Sequence, residues 1–179
     1  AAAESGLAYA PGDACGLVFL PDDDGAAEVC REALARALAG RDLAVAGWRE
    51  VPLDPAACGE QARAGLPRMV QVFVPAPAGI EPEAFERRLF LSRRAAEQAL
   101  EAQAGFHVVT LSAQVLGYKA LVLPSALPRL FPDLARPDLA SAAVVFHQRF
   151  STNTAPAWHL AQPFRVLAHN GEINTIAGN

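Results

Sequence analysis

Two polar runs near the C-terminal end of the chain carry residue types suited to amide chemistry. The first is His-Gln-Arg-Phe-Ser-Thr-Asn-Thr at 147–154, directly after an apolar run at 142–146. Arg149 therefore lies where a strand is predicted to end, and a guanidinium there can bind a carboxylate through two parallel hydrogen bonds. Thr152 and its short polar neighbours can complete a site for an amino acid. Taken alone, Arg149 also fits an ordinary surface arginine beside a polar turn.

The second run is His-Asn-Gly-Glu-Ile-Asn-Thr at 169–175. Asn-Gly after a strand is a strong hairpin signal, so a turn is the simplest interpretation of Asn170 and Gly171. The same geometry lets the Asn170 side-chain amide and the Gly171 N–H point together at a developing oxyanion, and Gly lets the backbone approach a substrate closely. Together the two runs predict a carboxylate clamp and an oxyanion hole, which are parts needed to open the side-chain amide of glutamine.

The histidines and cysteines do not form a metal-binding pattern. His147, His159 and His169 are scattered, with no acidic ligand at helical spacing, so no metal site is predicted. The cysteines are odd in number and lack a Cys-x-x-Cys spacing, which argues against a disulfide framework or a zinc site. They are Cys15, Cys30 and Cys58. A reducing cytoplasm fits this cysteine usage best.

Composition indicates a globular domain. The chain has 179 residues, 52% of them hydrophobic, and a net charge of −4. This length is enough to bury a core, and the hydrophobic content argues against disorder. No basic stripe suggests nucleic acid as a partner, and no apolar run approaches the roughly 18 residues of a membrane span. Because the chain lacks an initiator Met and a closing element after its second polar run, we expect it to be incomplete at both ends.

Hydrophobic periodicity predicts an α+β domain. Helices are predicted at 25–39, between Asp24 as the N-terminal cap and Gly40, and at 82–104, ending before Gly105. The first helix is predicted to bury Ala26, Val29, Ala33, Leu34, Ala37 and Leu38. Strands are predicted at 16–20, 43–47, 69–74, 106–111, 120–123, 142–147 and 164–169. A loop rich in Pro, Gly and Ala is predicted at 54–67.

Taken together, these runs resemble the glutamine amidotransferase type-2 domain of the large subunit of glutamate synthase. The resemblance covers both polar runs, at 147–154 and 169–179. It also covers the segment Leu-Ala-Gln-Pro-Phe-Arg at 160–165, which lies between them. Earlier segments match the same domain in the same order. They are Gly-Trp-Arg-Glu-Val-Pro at 47–52, Leu-Pro-Arg at 66–68, Phe-Glu-Arg-Arg-Leu-Phe at 85–90 and Tyr-Lys-Ala-Leu at 118–121.

The resemblance implies an N-terminal-nucleophile hydrolase fold, an αββα sandwich of two sheets between helices, of which residues 1–179 are part of one domain. Arg149 matches the family's ligand of the substrate α-carboxylate, and Thr152 lies in the same glutamine-binding stretch. Asn170 and Gly171 match its oxyanion hole. The family releases ammonia from L-glutamine for addition to 2-oxoglutarate in a synthase domain of the same polypeptide. FMN and an iron–sulfur cluster are expected in the full-length protein, together with a small reductase subunit as a partner.

The nucleophile is the one part that the resemblance does not place within the chain. In this family a mature N-terminal Cys attacks the amide, and its own α-amine acts as the base. Cys15-Gly16 resembles such a start, but its surroundings match an interior strand, so Cys15 is interpreted as a small buried residue. We expect the chain alone to be inactive. The alternatives are a stand-alone amidohydrolase processed at Cys15 and a non-catalytic module that binds glutamine or docks on a synthase.

Overall fold

The computed structural model describes residue 6, residues 9–147 and residue 158. The chain divides into two compact units, Ala1–Val51 with Pro67–Tyr118 and Pro52–Leu66 with Lys119–Asn179. The strands are β1 Ala14–Leu20, β2 Gly47–Glu50, β3 Arg68–Val74 and β4 His107–Ser112. The helices are α1 Asp24–Ala39, α2 Glu60–Ala64, α3 Pro82–Ala99 and α4 Leu127–Leu130.

The first unit is built on a four-stranded antiparallel sheet in the order β2-β3-β1-β4. The predicted strands at 16–20, 69–74 and 106–111 are confirmed, with ends that shift by one or two residues. In β1, Leu17 lies opposite Gln71 of β3 and opposite Thr110 of β4. The mixed helix and strand content confirms the α+β class.

Helices α1 and α3 pack against each other over one face of this sheet, where they enclose the main core. Apolar side chains of β1 and β3, such as Val18 and Val72, point into this core. The other sheet face is also buried, because Leu17 and Phe19 are 0% exposed and Met69 is 2% exposed. Both faces of the sheet are therefore shielded from solvent, unlike those of a half-solvated antiparallel sheet.

The start and buried face of α1 differ in detail from the prediction. Asp23 is the N-terminal cap, and its carboxylate accepts a hydrogen bond from the Ala26 N–H at 2.8 Å. Asp24, which was predicted to cap the helix, lies in the first turn and pairs with Arg68 at 2.7 Å. The buried residues are Ala27, Cys30, Ala33, Leu34 and Leu38. Val29 is 51% exposed, so the buried face of α1 is shifted by about one residue from the predicted face.

Two further predictions in this unit are wrong. No strand forms at 43–46, because Asp42 adopts φ of 56° and the Leu43 N–H bonds back to the Leu38 carbonyl, which closes the end of α1. The strand begins only at Gly47. Helix α3 ends at Ala99 rather than at residue 104, since residues 100–103 form a turn closed by a bond from Gln103 N to Leu100 O.

The described part of the second unit consists of short helical turns. The predicted loop at 54–67 contains a 3₁₀ turn at Pro55–Ala57 and helix α2, and Asp54 N donates to Leu130 O at 3.0 Å. The predicted strand at 120–123 is absent, and a 3₁₀ turn at Pro124–Ala126 follows that segment. Residues 142–147 are exposed and do not form the predicted strand. The predicted strand at 164–169 lies outside the described residues.

None of the helices in the described part of the chain combines the length and the apolar character that a bilayer crossing requires.

Candidate functional site

The residues predicted to bind and activate glutamine lie outside the described part of the chain. These residues are Arg149, Thr152, Asn170 and Gly171. Their roles therefore stay predictions. The described residues nearest to them in sequence are His147, which is exposed, and Trp158, which is half-buried. Trp158 lies in sequence between the two polar runs, and it is the one residue after His147 that the structure describes.

A buried lysine holds the main chain at Trp158. Lys119 is 5% exposed, and its Nζ donates a hydrogen bond to the Trp158 carbonyl oxygen at 3.0 Å. It is the only lysine in the chain. Because a buried ammonium is costly unless it is paired, this carbonyl is part of what makes the position tolerable. The contact holds the carbonyl group of a residue that lies, in the order of the sequence, between the Arg149 run and the Asn170 run.

A line of polar side chains leads across the sheet to the residue before Lys119. Arg49 of β2 donates from Nη1 to Gln71 Oε1 at 2.7 Å, and Gln71 Nε2 donates to the Tyr118 hydroxyl at 3.3 Å. Arg49 is 9% exposed and Gln71 is 2% exposed. Both belong to the sheet face opposite the helices, since Gln71 lies between Leu17 and Arg49 in the strand register. Buried polar groups of this kind are stable only when they are hydrogen-bonded.

Side chains from α3 and from β4 hold the turn between β4 and Tyr118. Buried Glu86 of α3 accepts from Ser112 Oγ at 2.9 Å and from the Ala113 N–H at 2.6 Å. Ser112 Oγ in turn accepts from the N–H groups of Gln114 and Val115. These contacts fix the chain that leads from the sheet toward Tyr118.

The three cysteines occupy structural positions. Cys15 is half-buried in β1, opposite Phe73 and Ser112, so it belongs to an interior strand as predicted but is less buried than expected. Cys30 is buried in α1, where burial raises the pKa of its thiol. Cys58, predicted to lie in the loop, is buried at the end of the 3₁₀ turn Pro55–Ala57.

The surroundings of Cys15 do not favour processing at this residue. Ala14, which precedes it, pairs with Val74 and is 0% exposed. Asp13 accepts a hydrogen bond from the Ala76 N–H at 2.9 Å through its carboxylate. Cleavage before Cys15 would remove both of these contacts at the start of β1.

The sequence assigned no role to Lys119, Arg49 or Gln71. Lys119 and Arg49 lie in runs that carried the family resemblance, but nothing local showed that they would be buried. Gln71 offered the one usable signal, because it is a polar residue in the centre of the apolar strand Met-Val-Gln-Val-Phe-Val. A polar side chain there must find a partner within the fold.

Comparison with known families identifies the domain. The family model described as "Glutamine amidotransferases class-II" matches residues 2–179. The chain belongs to this family. Its class-II amidotransferase match includes both polar runs, so the segments that carry the predicted clamp and oxyanion hole lie within it.

Curated relatives of this amidotransferase are glutamate synthases. Ferredoxin-dependent glutamate synthase 2 of Synechocystis sp. is 40% identical over 164 residues, which is 92% of this chain and 10% of the relative. The glutamate synthase [NADPH] large chain of Azospirillum brasilense is 41% identical over 169 residues, 93% of this chain and 11% of the relative. Glutamate synthase [NADH] of Schizosaccharomyces pombe is 35% identical over 175 residues, 93% of this chain and 8% of the relative. The chain thus spans about a tenth of the length of the curated relatives it matches.

Proposed function

We propose that this chain is the glutaminase part of a glutamate synthase, which releases ammonia from L-glutamine for addition to 2-oxoglutarate. The observation that carries the proposal is the class-II amidotransferase match over residues 2–179, combined with matched relatives that are named glutamate synthases. In this proposal both compact units belong to one amidotransferase domain, and a synthase domain of the same polypeptide receives the ammonia.

The predicted substrate site has two parts. Arg149 binds the α-carboxylate of glutamine through paired hydrogen bonds, with Thr152 beside it. The Asn170 side-chain amide and the Gly171 N–H stabilise the negative charge that develops on the amide oxygen. Donors of this kind act mainly in the transition state, so they raise the turnover rate more than they tighten substrate binding.

The reaction itself needs a thiol supplied by a Cys at a mature N-terminus. The sulfur attacks the amide carbon of glutamine, and the proton of the thiol passes through the α-amine to the leaving nitrogen. The C–N bond breaks and releases ammonia, which leaves a thioester. Water then hydrolyses the thioester to give glutamate and the free thiol. Cys15 is a poor candidate for this role, because it lies inside the central strand β1.

The proposed architecture is the αββα sandwich of the N-terminal-nucleophile hydrolases. The sheet described above is one of its two sheets, and α1 with α3 is one of its helical layers. Two observations support this assignment: the helices cover one face of the sheet, and the opposite face is also buried.

FMN, an iron–sulfur cluster and a reductase subunit belong to the synthase side of the proposal. In the part of the chain that the structure describes, no group of three His, Cys, Asp or Glu side chains lies together as a metal site would require. The cysteines of this chain therefore do not fit a cluster, and no step of the amide chemistry is assigned to these groups.

Kinetics of the full-length protein that carries this chain provide the test. Arg149→Gln should raise the KM for glutamine by about a hundredfold, since a charge-assisted pair contributes about 2 to 3 kcal/mol. The KM for 2-oxoglutarate should not change. Arg87→Gln, at an exposed position of α3, is the matched control and should leave both values unaltered. An unchanged glutamine KM in Arg149→Gln would remove the basis of the proposal.

The 179-residue chain separates the alternatives. We expect it to release no ammonia from glutamine, with or without the Cys15→Ala substitution. Hydrolysis that disappears in Cys15→Ala would favour the stand-alone amidohydrolase instead. A full-length protein that binds glutamine but never releases ammonia would favour the non-catalytic binding module.

A further inference from the structure

We propose that residues 9–13 form a strap that closes beside the Cys15 thiol and limits the access of dissolved electrophiles to it. The strap runs from Tyr9 to Asp13, directly before β1, and belongs to the same compact unit as the sheet. Cys15 is half-buried in β1, so its accessibility depends on the groups that lie beside it. This role is independent of the glutamine chemistry proposed above.

The strap is built on a tight turn at Ala-Pro-Gly-Asp, residues 10–13. Pro11 suits the second position of a type II turn, and Gly12, with φ of 96°, suits the third position, where a positive φ favours glycine. The Asp13 N–H closes the turn by donating to the Ala10 carbonyl oxygen at 3.0 Å. The local sequence therefore encodes a reversal of the chain just before β1.

The Asp13 carboxylate ties the strap to the sheet. Its Oδ2 accepts a hydrogen bond from the Ala10 N–H at 2.7 Å, and its Oδ1 accepts one from the Ala76 N–H at 2.9 Å. Ala76 follows the end of β3 at Val74, so the carboxylate connects the strap to the strand that pairs with β1. Because an ionised acceptor makes stronger hydrogen bonds than a neutral one, this connection favours the closed position of the strap.

The Tyr9 side chain covers the sheet beside Cys15. Its hydroxyl donates to the Asp13 carbonyl oxygen at 3.0 Å, and its ring meets the Phe73 ring edge to face, with centroids 5.7 Å apart. Phe73 lies directly opposite Cys15 in the pairing of β1 with β3, so the two side chains are neighbours on one sheet face. The Tyr9 ring that packs on Phe73 therefore lies next to the thiol.

The acid–base behaviour of Tyr9 agrees with this placement. The pKa of its hydroxyl is raised, first by burial and then by the nearby Cys15 and Asp13 groups. The strap is also suited to opening, because Tyr9 is 46% exposed and all of its hydrogen bonds lie near the surface. Segments with few buried contacts open locally at a low free-energy cost, without unfolding of the core.

Labelling of the full-length protein with N-ethylmaleimide tests the inference. The Cys15 sulfur bonds to one carbon of the maleimide double bond and the neighbouring carbon takes up a proton, and mass spectrometry of the peptides gives the rate for each cysteine. Tyr9→Ala removes the ring and should raise the Cys15 rate about fivefold or more, since opening of the strap no longer limits access. Tyr9→Phe keeps the ring and loses only an exposed hydrogen bond, so its rate should stay within about twofold of the wild type. An unchanged Cys15 rate in Tyr9→Ala would overturn the inference.

The two buried thiols in the same chain report on general unfolding. Cys30 and Cys58 are buried, and their labelling rates should not change in Tyr9→Ala. A rise of equal size at all three cysteines would show that the substitution loosens the whole unit, which would also contradict a local strap at Cys15.

Asp13 variants test how the strap is held. Asp13→Ala removes the acceptor for both the Ala10 and the Ala76 N–H groups, whereas Asp13→Asn keeps one side-chain carbonyl oxygen as an acceptor. Both variants remove the same negative charge near Cys15, so they change the ionisation of its thiol in the same direction. The Cys15 rate should therefore be higher in Asp13→Ala than in Asp13→Asn. Equal rates in the two variants would rule out the carboxylate as the anchor of the strap.

Discussion

The Glu86 carboxylate accepts a hydrogen bond from Ser112 Oγ at 2.9 Å, which ties helix α3 directly to the end of strand β4. Ser112 is 5% exposed and Glu86 is 8% exposed, so the pair is shielded from water. The same carboxylate accepts from the Ala113 N–H at 2.6 Å and so also fixes the first residue after the strand. One acidic side chain therefore satisfies donors that would otherwise be buried without partners.

Glu86→Ala should lower the free energy of unfolding by about 3 kcal/mol, because it leaves the Ser112 hydroxyl and the Ala113 N–H without their acceptor. Urea denaturation of the 179-residue chain measures this change. Glu83→Ala, at an exposed position in the first turn of the same helix, should cost no more than about 0.5 kcal/mol. Equal losses in the two variants would show that the buried carboxylate has no special role.

Asp23→Ala should cost about 1 kcal/mol, since the Ala26 N–H at the start of α1 loses its cap. Asp24→Ala is the informative comparison, because Asp24 makes an exposed ion pair with Arg68 and should cost less than about 0.5 kcal/mol. Thermal unfolding of both variants provides the measurement. A larger loss of stability for Asp24→Ala than for Asp23→Ala would instead support Asp24 as the cap, as the sequence predicted.

Gly16→Ala should destabilise the sheet by about 1 to 3 kcal/mol through overpacking. A Cβ at Gly16 would lie 2.9 Å from the Thr110 carbonyl oxygen, from a Leu111 methyl and from a Val72 methyl. The crowded position is in the middle of β1, where neither neighbouring strand can retreat easily. Gly65→Ala serves as the control, because its new methyl would meet only Gln61 O at 3.9 Å. Chemical denaturation that shows equal stability for the two variants would contradict the close packing at Gly16.

Burial raises the pKa of the Cys30 thiol, which gives its stability contribution a defined pH dependence. The unfolded chain ionises this thiol near pH 8.5, whereas the folded chain keeps it protonated to higher pH. The contribution is therefore fully present below about pH 8.5 and is lost as the pH rises toward the folded pKa. The stability of the wild type relative to Cys30→Ala should fall over this range. A difference that stays constant from pH 7 to pH 10 would rule out a raised pKa.

The sheet was the most predictable part of the fold. The strands at β1, β3 and β4 are compact apolar runs that end at Pro or follow Gly, and this pattern is local. The segment at 43–46 has a similar composition but is held by the turn at Asp42 and by the bond from Leu43 to Leu38, neither of which composition records. Residues 142–147 likewise have strand-forming composition, but strand formation also requires a partner edge.

The candidate site likewise contains some residues that could be recognised from the sequence and others that could not. The Arg149 and Asn170 runs were recognisable because their chemistry lies in contiguous residues. The burial of Lys119 was not, since its ammonium bonds to the carbonyl oxygen of Trp158, which is distant in sequence. The partnership of Arg49 with Gln71 depends on strand register, which is set by pairing between β2 and β3. Side chains that act through such contacts become visible only once the strands are paired.

The position of β1 in the sheet has a consequence for synthesis of the protein. Although β1 comes first among the described strands, its two neighbours are β3 and β4, and Cys15 must meet Ser112 before the sheet is complete. On the ribosome, β1 can pair with β3 earlier, but its pairing with β4 has to wait until nearly all of the first unit has been translated. Pairings between strands so far apart in sequence slow folding, because closing a long loop lowers the chain entropy before the new contacts offset that loss. During that interval the edge of β1 that β4 will cover stays unpaired, and a chaperone that shields an apolar strand would find its substrate there.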